Sequence, residues 1–293
     1  MDWMKYKKIY FVISGVMVIV SVFSLVTWGL SLGLDFKGGT IAEYSFENEI
    51  STQDVAKNLK EAGIEVASIQ SIKDTQYLFR MSPLNDEQKE KLKTVLAEIS
   101  KGTSFEELRF ETVGPSIGPE LIKKTIYAIV IAASIILLWV AYQFKSIKFG
   151  TSAIIAMLHD TFILIGSFSL LSHFMGAEVD FLFVTALLTT LSFSVHDTIV
   201  VYDRIRESQR KVGGEMHDLA NKAITETMVR SLNNSFTIIF MLFALILLGG
   251  TTIKWFAAAL FIGTVLGTYS SPFVAVPLLV AWDEMSQRLK LKK

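Results

Sequence analysis

Six stretches of this 293-residue chain, 9–29, 125–144, 149–171, 179–202, 231–249 and 255–282, are apolar over about the 20 residues that a ~30 Å hydrocarbon layer demands of a helix. Nothing else in the sequence constrains the fold as tightly. Inside a bilayer no water satisfies backbone N–H and C=O groups, so each stretch has to cross as a helix. The overall 51% hydrophobic content agrees with that. The first stretch follows Lys5, Lys7 and Lys8, like a signal peptide, but its apolar run is too long and no small-x-small cleavage site follows. It is read as a retained span.

Charge and composition narrow the function classes. The 28 basic residues match 28 acidic ones, which offers no nucleic-acid partner an electrostatic handle. There is no cysteine, which excludes disulfides and thiol chemistry, and the four histidines do not cluster as metal ligands. Neither a metal nor a cofactor is expected. No nucleophile with a neighbouring base and no phosphate-binding glycine loop is present, so the chain is not read as an enzyme. Asp160 and Asp197 suggest an intramembrane aspartyl protease only weakly, because an arginine at matching depth favours the ionised carboxylate over a shared proton.

Lys and Arg near the helix ends set orientation. The N-terminus, the loop with Lys145 and Lys148, the loop 203–229 and the tail with Arg288, Lys290, Lys292 and Lys293 are basic. The opposite side offers only Lys254. Both termini are therefore expected in the cytoplasm. Residues 1–30 form the cytoplasmic N-terminus and first span, 31–124 an extracytoplasmic domain with its linker, and 125–293 the other five spans. Loop 203–229 is charged, with a break at Gly213 and Gly214 between two helical patterns, and is read as a solvated connector lying on the membrane surface.

Segment 31–124 patterns as a small α+β domain. Ala42, Tyr44 and Phe46 alternate with polar neighbours as in a half-buried strand. Ser51 with Asp54 reads as a capping box opening a helix with Val55, Leu59 and Ala62 on one face, ended by Gly63. Strands follow at 65–72 and around Tyr77, Phe79 and Met81. Asn85 caps a second helix with Leu92, Val95, Leu96 and Ile99 along one face, and a last strand fits 105–112, where Leu108 and Phe110 alternate. This β-α-β-β-α-β order is the ferredoxin-like split unit.

Ionisable groups within spans are costly and mark candidate sites. Asp197 lies in the run 181–202, roughly 8–9 Å inside the cytoplasmic end of the fourth span at 1.5 Å per residue. The strictly apolar part of the fifth span, 236–248, is too short to cross, so Arg230, Ser231, Asn233 and Asn234 are drawn into the bilayer. Antiparallel packing then brings Arg230 toward Asp197. A carboxylate and a guanidinium that exchange partners as a proton comes and goes is the functional reading; a static buried pair is the alternative. Asp160, near the middle of the third span, is open between the two roles. His159 and His196 read first as hydrogen-bonded neighbours, with proton relay the alternative. Asp35, Gly38 and Gly39 in LGLDFKGGT (32–40) mark a positive-φ turn. Gly114 and Pro115 open VGPSIGPEL (113–121), a rigid link or a hinge into the second span. Gly263 and Gly267 form a packing face, and Pro272 and Pro277 bend the last span.

These segments resemble the SecF family of protein-export membrane subunits, within the SecD/SecF group and the RND superfamily. FSVHDTIVVYDRIRE (193–207) is similar to its fourth-helix signature, VRSLNNSFT (229–237) to the start of its fifth helix, and His159-Asp160 to its third. LGLDFKGGT and VGPSIGPEL resemble the motifs bounding its first extracytoplasmic domain. The likeness runs from about Leu30 to the end of the sixth span. It implies a half of an RND-like transporter in a bacterial inner membrane, with SecD and the SecYEG channel as partners. It also implies an unfolded translocating polypeptide as cargo, protons as the driving ion, and Asp197 with Arg230 as the coupling pair. His196 stands where the family often has Asn. The competing readings are an RND-type lipid or small-molecule exporter half and a non-transporting scaffold.

Overall fold

In the computed structural model, which describes residues 2–73, 75–100, 104–114, 117–144 and 146–291, the chain divides into two units. One is Met1–Ser31 with Tyr127–Lys293, the other Leu32–Ile126. Helix α1 (Lys7–Thr27) is the first span and opens the first unit.

The unit Leu32–Ile126 begins with a single turn, α2 (Leu34–Lys37), and strand β1 (Gly39–Phe46). Gly38 and Gly39 join them at φ 73° and 135°, a region closed to most side chains. A Cβ on Gly39 would also lie 2.9 Å from the carbonyl oxygen of Met81. Then come α3 (Thr52–Glu61), β2 (Val66–Lys73), β3 (Gln76–Met81), α4 (Asp86–Ile99) and β4 (Phe105–Val113). The sheet order is β2-β3-β1-β4 with every pair antiparallel, the arrangement of a ferredoxin-like split unit.

Local chemistry accounts for the helix ends. Ser51 accepts a hydrogen bond from the N–H of Asp54, supplying the N-cap of α3, worth about 1 kcal/mol. The full reciprocal box forms instead at α4, between Asn85 and Gln88, because Gln88 has the reach to return to the N-cap N–H that the shorter Asp54 lacks. Helix α3 closes with bonds from Gly63 to Lys60 and from Ile64 to Leu59. The core joins Tyr44, Phe46, Phe79, Val55, Leu59, Leu92 and Leu96. The simple alternation of Leu108 with Phe110 is interrupted. A bulge in β4 pairs Glu43 with Arg109 but Tyr44 with Glu107. The extra residue, Leu108, is exposed, and Phe105 and Phe110 pack on the core. A bulge shifts the two-residue period by one, so simple alternation puts one side chain on the wrong face.

Helix α5 (Ile117–Phe144) begins in this unit and continues into the other. The remaining spans are α6 (Ile147–Met175), α7 (Phe181–Lys211), α8 (Met216–Leu248) and a last helix of three pieces. These are α9 (Thr251–Ser270), a π-helical turn at Ser271–Ala275, and α10 (Val276–Leu291). Six helices are long and apolar enough to cross a membrane. Large apolar side chains such as Val26, Leu138, Phe240 and Leu248 face outward, while Ser14, Ser21, Ser152, Ser235 and Thr264 are buried. That inversion of a soluble core is what lipid as solvent demands, since small residues let helices approach closely. On α6, a Cβ at Gly166 would meet Ser21 of α1 within 2.6 Å of its Cα. On α9, Gly263 and Gly267 face Thr190 and Ser194 of α7.

The two helical patterns read on either side of Gly213 and Gly214 in segment 203–229 are helix. Helix α7 runs on to Lys211 and α8 begins at Met216, so only a short turn at Gly213 and Gly214 interrupts helix. Apolar Ile205, Leu219, Ala220, Ala223 and Ile224 are buried, which holds these charged extensions in the bundle. Pro272 lies in the π turn, where the helix loses its regular hydrogen-bond ladder.

Candidate functional site

Helix α7 carries a polar face through its apolar run. Ser194, Asp197, Thr198 and Tyr202 recur at three- and four-residue spacing and are buried. Two carboxylates lie on or against this face, and their surroundings differ.

Asp160 of α6 sits where α6, α7 and α9 meet. Its Oδ2 accepts from Ser194 Oγ at 2.6 Å and Ser270 Oγ at 2.5 Å. Its Oδ1 lies 2.9 Å from His159 Nδ1. Both carboxylate oxygens are engaged, as a buried polar group requires. The far ring nitrogen of His159, Nε2, is buried with no hydrogen-bond partner among the described residues.

Asp197 is engaged on one side only. Ser231 Oγ of α8 donates to its Oδ1 at 2.7 Å, while no donor among the described residues reaches its buried Oδ2. A buried acceptor left unmatched costs about 1–3 kcal/mol.

The anticipated ion pair of Asp197 with Arg230 is not formed. Arg230 is exposed and makes no ion pair with Asp197; the neighbouring serine occupies the contact. Adjacent helical residues point about 100° apart, so with Ser231 turned inward Arg230 faces the rim. His196 is likewise exposed.

Sequence reasoning missed the hydroxyls. Below Asp160 the polar face continues as Thr198 Oγ1 to Ser271 Oγ at 3.0 Å and Tyr202 Oη to Ser152 Oγ at 2.7 Å. Tyr202 also donates to the carbonyl of Ala275 in the π turn at 2.9 Å. Serine and threonine in spans commonly bond their own i−4 carbonyl, so nothing marks which will reach across. The available signal was the spacing of Ser194, Thr198 and Tyr202 relative to Asp197.

The glycine-motif residues cluster in the other unit. Gly39 pairs with Val113 across β1 and β4, and Thr40 Oγ1 bonds Thr112 Oγ1 at 2.8 Å. A Cβ on Gly118 would lie 2.4 Å from the carbonyl oxygen of Phe36. The two motif segments, some eighty residues apart in sequence, therefore touch. Asp35 lies in α2 and Gly114 just after β4. Pro115, with Lys145, Lys292 and Lys293, lies outside the described residues.

Six apolar helices with carboxylates buried between them, and one small α+β unit inserted after the first, define a multi-pass membrane protein. Residues 91–285 match the family described as protein export membrane protein SecD/SecF, C-terminal, and residues 23–50 match the SecD/SecF GG motif. The chain belongs to the SecD/SecF family of protein-export membrane proteins. It is 41% identical over 297 aligned positions to a protein translocase subunit SecF of Thermobaculum terrenum, covering 96% of this chain and 94% of that one. It is 39% identical to a SecF subunit of Vibrio alginolyticus, over 94% of this chain and 88% of the relative. Among solved structures, SecDF from Thermus thermophilus, a translocon-associated membrane protein, matches with TM-score 0.82 and 32% identity over 97% of this chain. A SecDF structure in a super-membrane-facing form matches with TM-score 0.72 and 30% identity over 100% of this chain. This chain covers only 39% and 40% of those two.

Proposed function

We propose that this chain is a SecF-type subunit of the bacterial protein-export machinery in which protonation of Asp197 drives the working cycle. It acts with a SecD-type partner beside the SecYEG channel. It draws an unfolded polypeptide outward and is a coupling subunit rather than an enzyme. Its place is the inner membrane with both termini in the cytoplasm, which the Lys/Arg asymmetry supports.

The observation that carries the reading is Asp197 itself, buried, held on Oδ1 by Ser231 and open on Oδ2. Oδ2 takes either a proton or the guanidinium of Arg230, one residue along α8 from Ser231. The two choices favour two packings of α7 against α8, and each proton switches between them.

Export into membrane vesicles, measured with and without a proton gradient, tests this. Asp197→Asn keeps the shape and removes the titration, so gradient-stimulated export disappears while the yield of complex with the SecD-type partner stays normal. Arg230→Met behaves the same way, and the double variant is no worse than either single one, because both act on one step. Normal gradient-stimulated export by Asp197→Asn ends the proposal. Loss of complex in step with loss of export assigns the aspartate to a scaffold instead.

A further inference from the structure

A cleft of about 940 Å³ opens between the ends of α5, α7 and α8, and Asp197 is not among its walls. Its cations are Arg204, Arg206, Arg210, Lys211 and Arg230, facing only three carboxylates. Those carboxylates are unevenly used. Arg204 holds both Glu226 and Glu207, and Lys211 shares Glu207 at 2.6 Å. Arg206 donates to the carbonyl of Gln143 at 3.0 Å, with its guanidinium 5.5 Å from the Phe144 ring. Arg210 and Arg230 form no ion pair among the described residues, and both are exposed. The cleft therefore keeps a surplus of positive charge on guanidinium forks, the geometry that suits phosphate.

The borders of the cleft are apolar. Tyr142, beside Gln143 on α5, is 70% exposed, and Val229, beside Arg230 on α8, is 67% exposed. Trp139 adds a second exposed ring 6.3 Å from Tyr142, and paired aromatics of this kind sit at the headgroup level of a bilayer. Cations at the end of the spans with exposed apolar helix directly alongside make an amphipathic site.

We infer that this cleft binds the phosphodiester of an anionic phospholipid, with the acyl chains lying along α5 and α8 beside Tyr142 and Val229. A surplus of two positive charges suits a singly charged phosphodiester and gives no advantage to a zwitterionic lipid, whose own cation cancels the gain. Basic pockets between spans select anionic lipids on this principle. The inference stands whether or not Asp197 carries protons.

The test is native mass spectrometry of the full chain released from micelles holding equal amounts of phosphatidylglycerol and phosphatidylcholine. Phosphatidylglycerol adducts should exceed phosphatidylcholine adducts by about fivefold for each uncompensated cation engaged. Arg210→Gln should bring the ratio down by about fivefold, and adding Arg206→Gln should bring it near one, while Arg210→Lys keeps it. Arg288→Gln, an exposed change outside the cleft, should leave it unaltered. Melting of each variant in phosphatidylcholine alone reports whether the fold survives, and Arg210→Gln, an unpaired surface change, keeps the test open if the double variant does not. Equal retention of the two lipids overturns the inference. So does an Arg288→Gln effect as large as that of Arg210→Gln, which points to diffuse surface charge, or full displacement of phosphatidylglycerol by millimolar inorganic phosphate, which points to a free anion as ligand.

Discussion

Asp160 and Asp197 are the same residue type on neighbouring helices, and what their second oxygens touch sets them apart. Asp160 ties three helices through Ser194, Ser270 and its own neighbour His159. Asp197 leaves Oδ2 open, and on that difference rests our proposal that it carries the coupling proton. In the other unit Tyr44 offers a separate measurement. Burial first, and then Glu107 beside it, hold its hydroxyl neutral well above the ordinary value of 10.0. The folded chain thus keeps a proton that the unfolded chain gives up near that pH. The stability this provides is present below about pH 10 and is lost as the pH rises further. Melting of the full chain across a pH series from about 8 to 11 should show a smaller alkaline decline for Tyr44→Phe than for the parent, and equal declines refute the assignment. At this scale the sequence revealed which acids were costly, because a charge in an apolar run is visible by itself. It did not reveal Ser231 as the partner of Asp197, because that depends on how far α8 is rotated, which one residue of phase decides.

Helices and strands were easier to read than their contacts. Periodicity and caps located every strand of the inserted unit, yet the bulge that expels Leu108 has no glycine or proline to announce it. The charged stretch 203–229 reads as two helical patterns broken at Gly213 and Gly214, and it is helix on both sides of that turn. Its densely ionic exposed face hid the buried stripe from Ile205 to Ile224. Gly263 and Gly267 were visible as a spaced pair, whereas Gly166 stands alone and shows its role only against Ser21 of α1. Even alanine is too large there, since the clash is with backbone as well as side chain. Gly166→Ala should cost about 1–3 kcal/mol as an overpacked contact. The readout is an earlier thermal transition of the purified protein in detergent, and an unchanged transition means that α1 does not seat on α6 at this point.

For the molecule as a whole, orientation follows from where Lys and Arg collect, and it is open to direct labelling. A cysteine placed at Ser51 or Ser172 of this cysteine-free chain should react with an impermeant maleimide in intact cells. One at Gly213 should react only after permeabilisation, and labelling of Gly213 from outside reverses the topology. The last span also has to serve two sets of neighbours. Before the π turn it offers Gly263, Gly267 and Ser270 to α7 and to Asp160. After it, Asp283 meets Lys148 at 2.7 Å and Glu284 meets Lys7 at 2.5 Å. A regular helix advances about 100° per residue, so a single residue removed from Ser271–Ala275 would turn both acids about that far from their lysines while leaving the upper half in place. The wide turn acts as a phase corrector between two halves of one rod, letting a single helix keep one bearing toward the buried carboxylate and another toward the ends of the first and third spans.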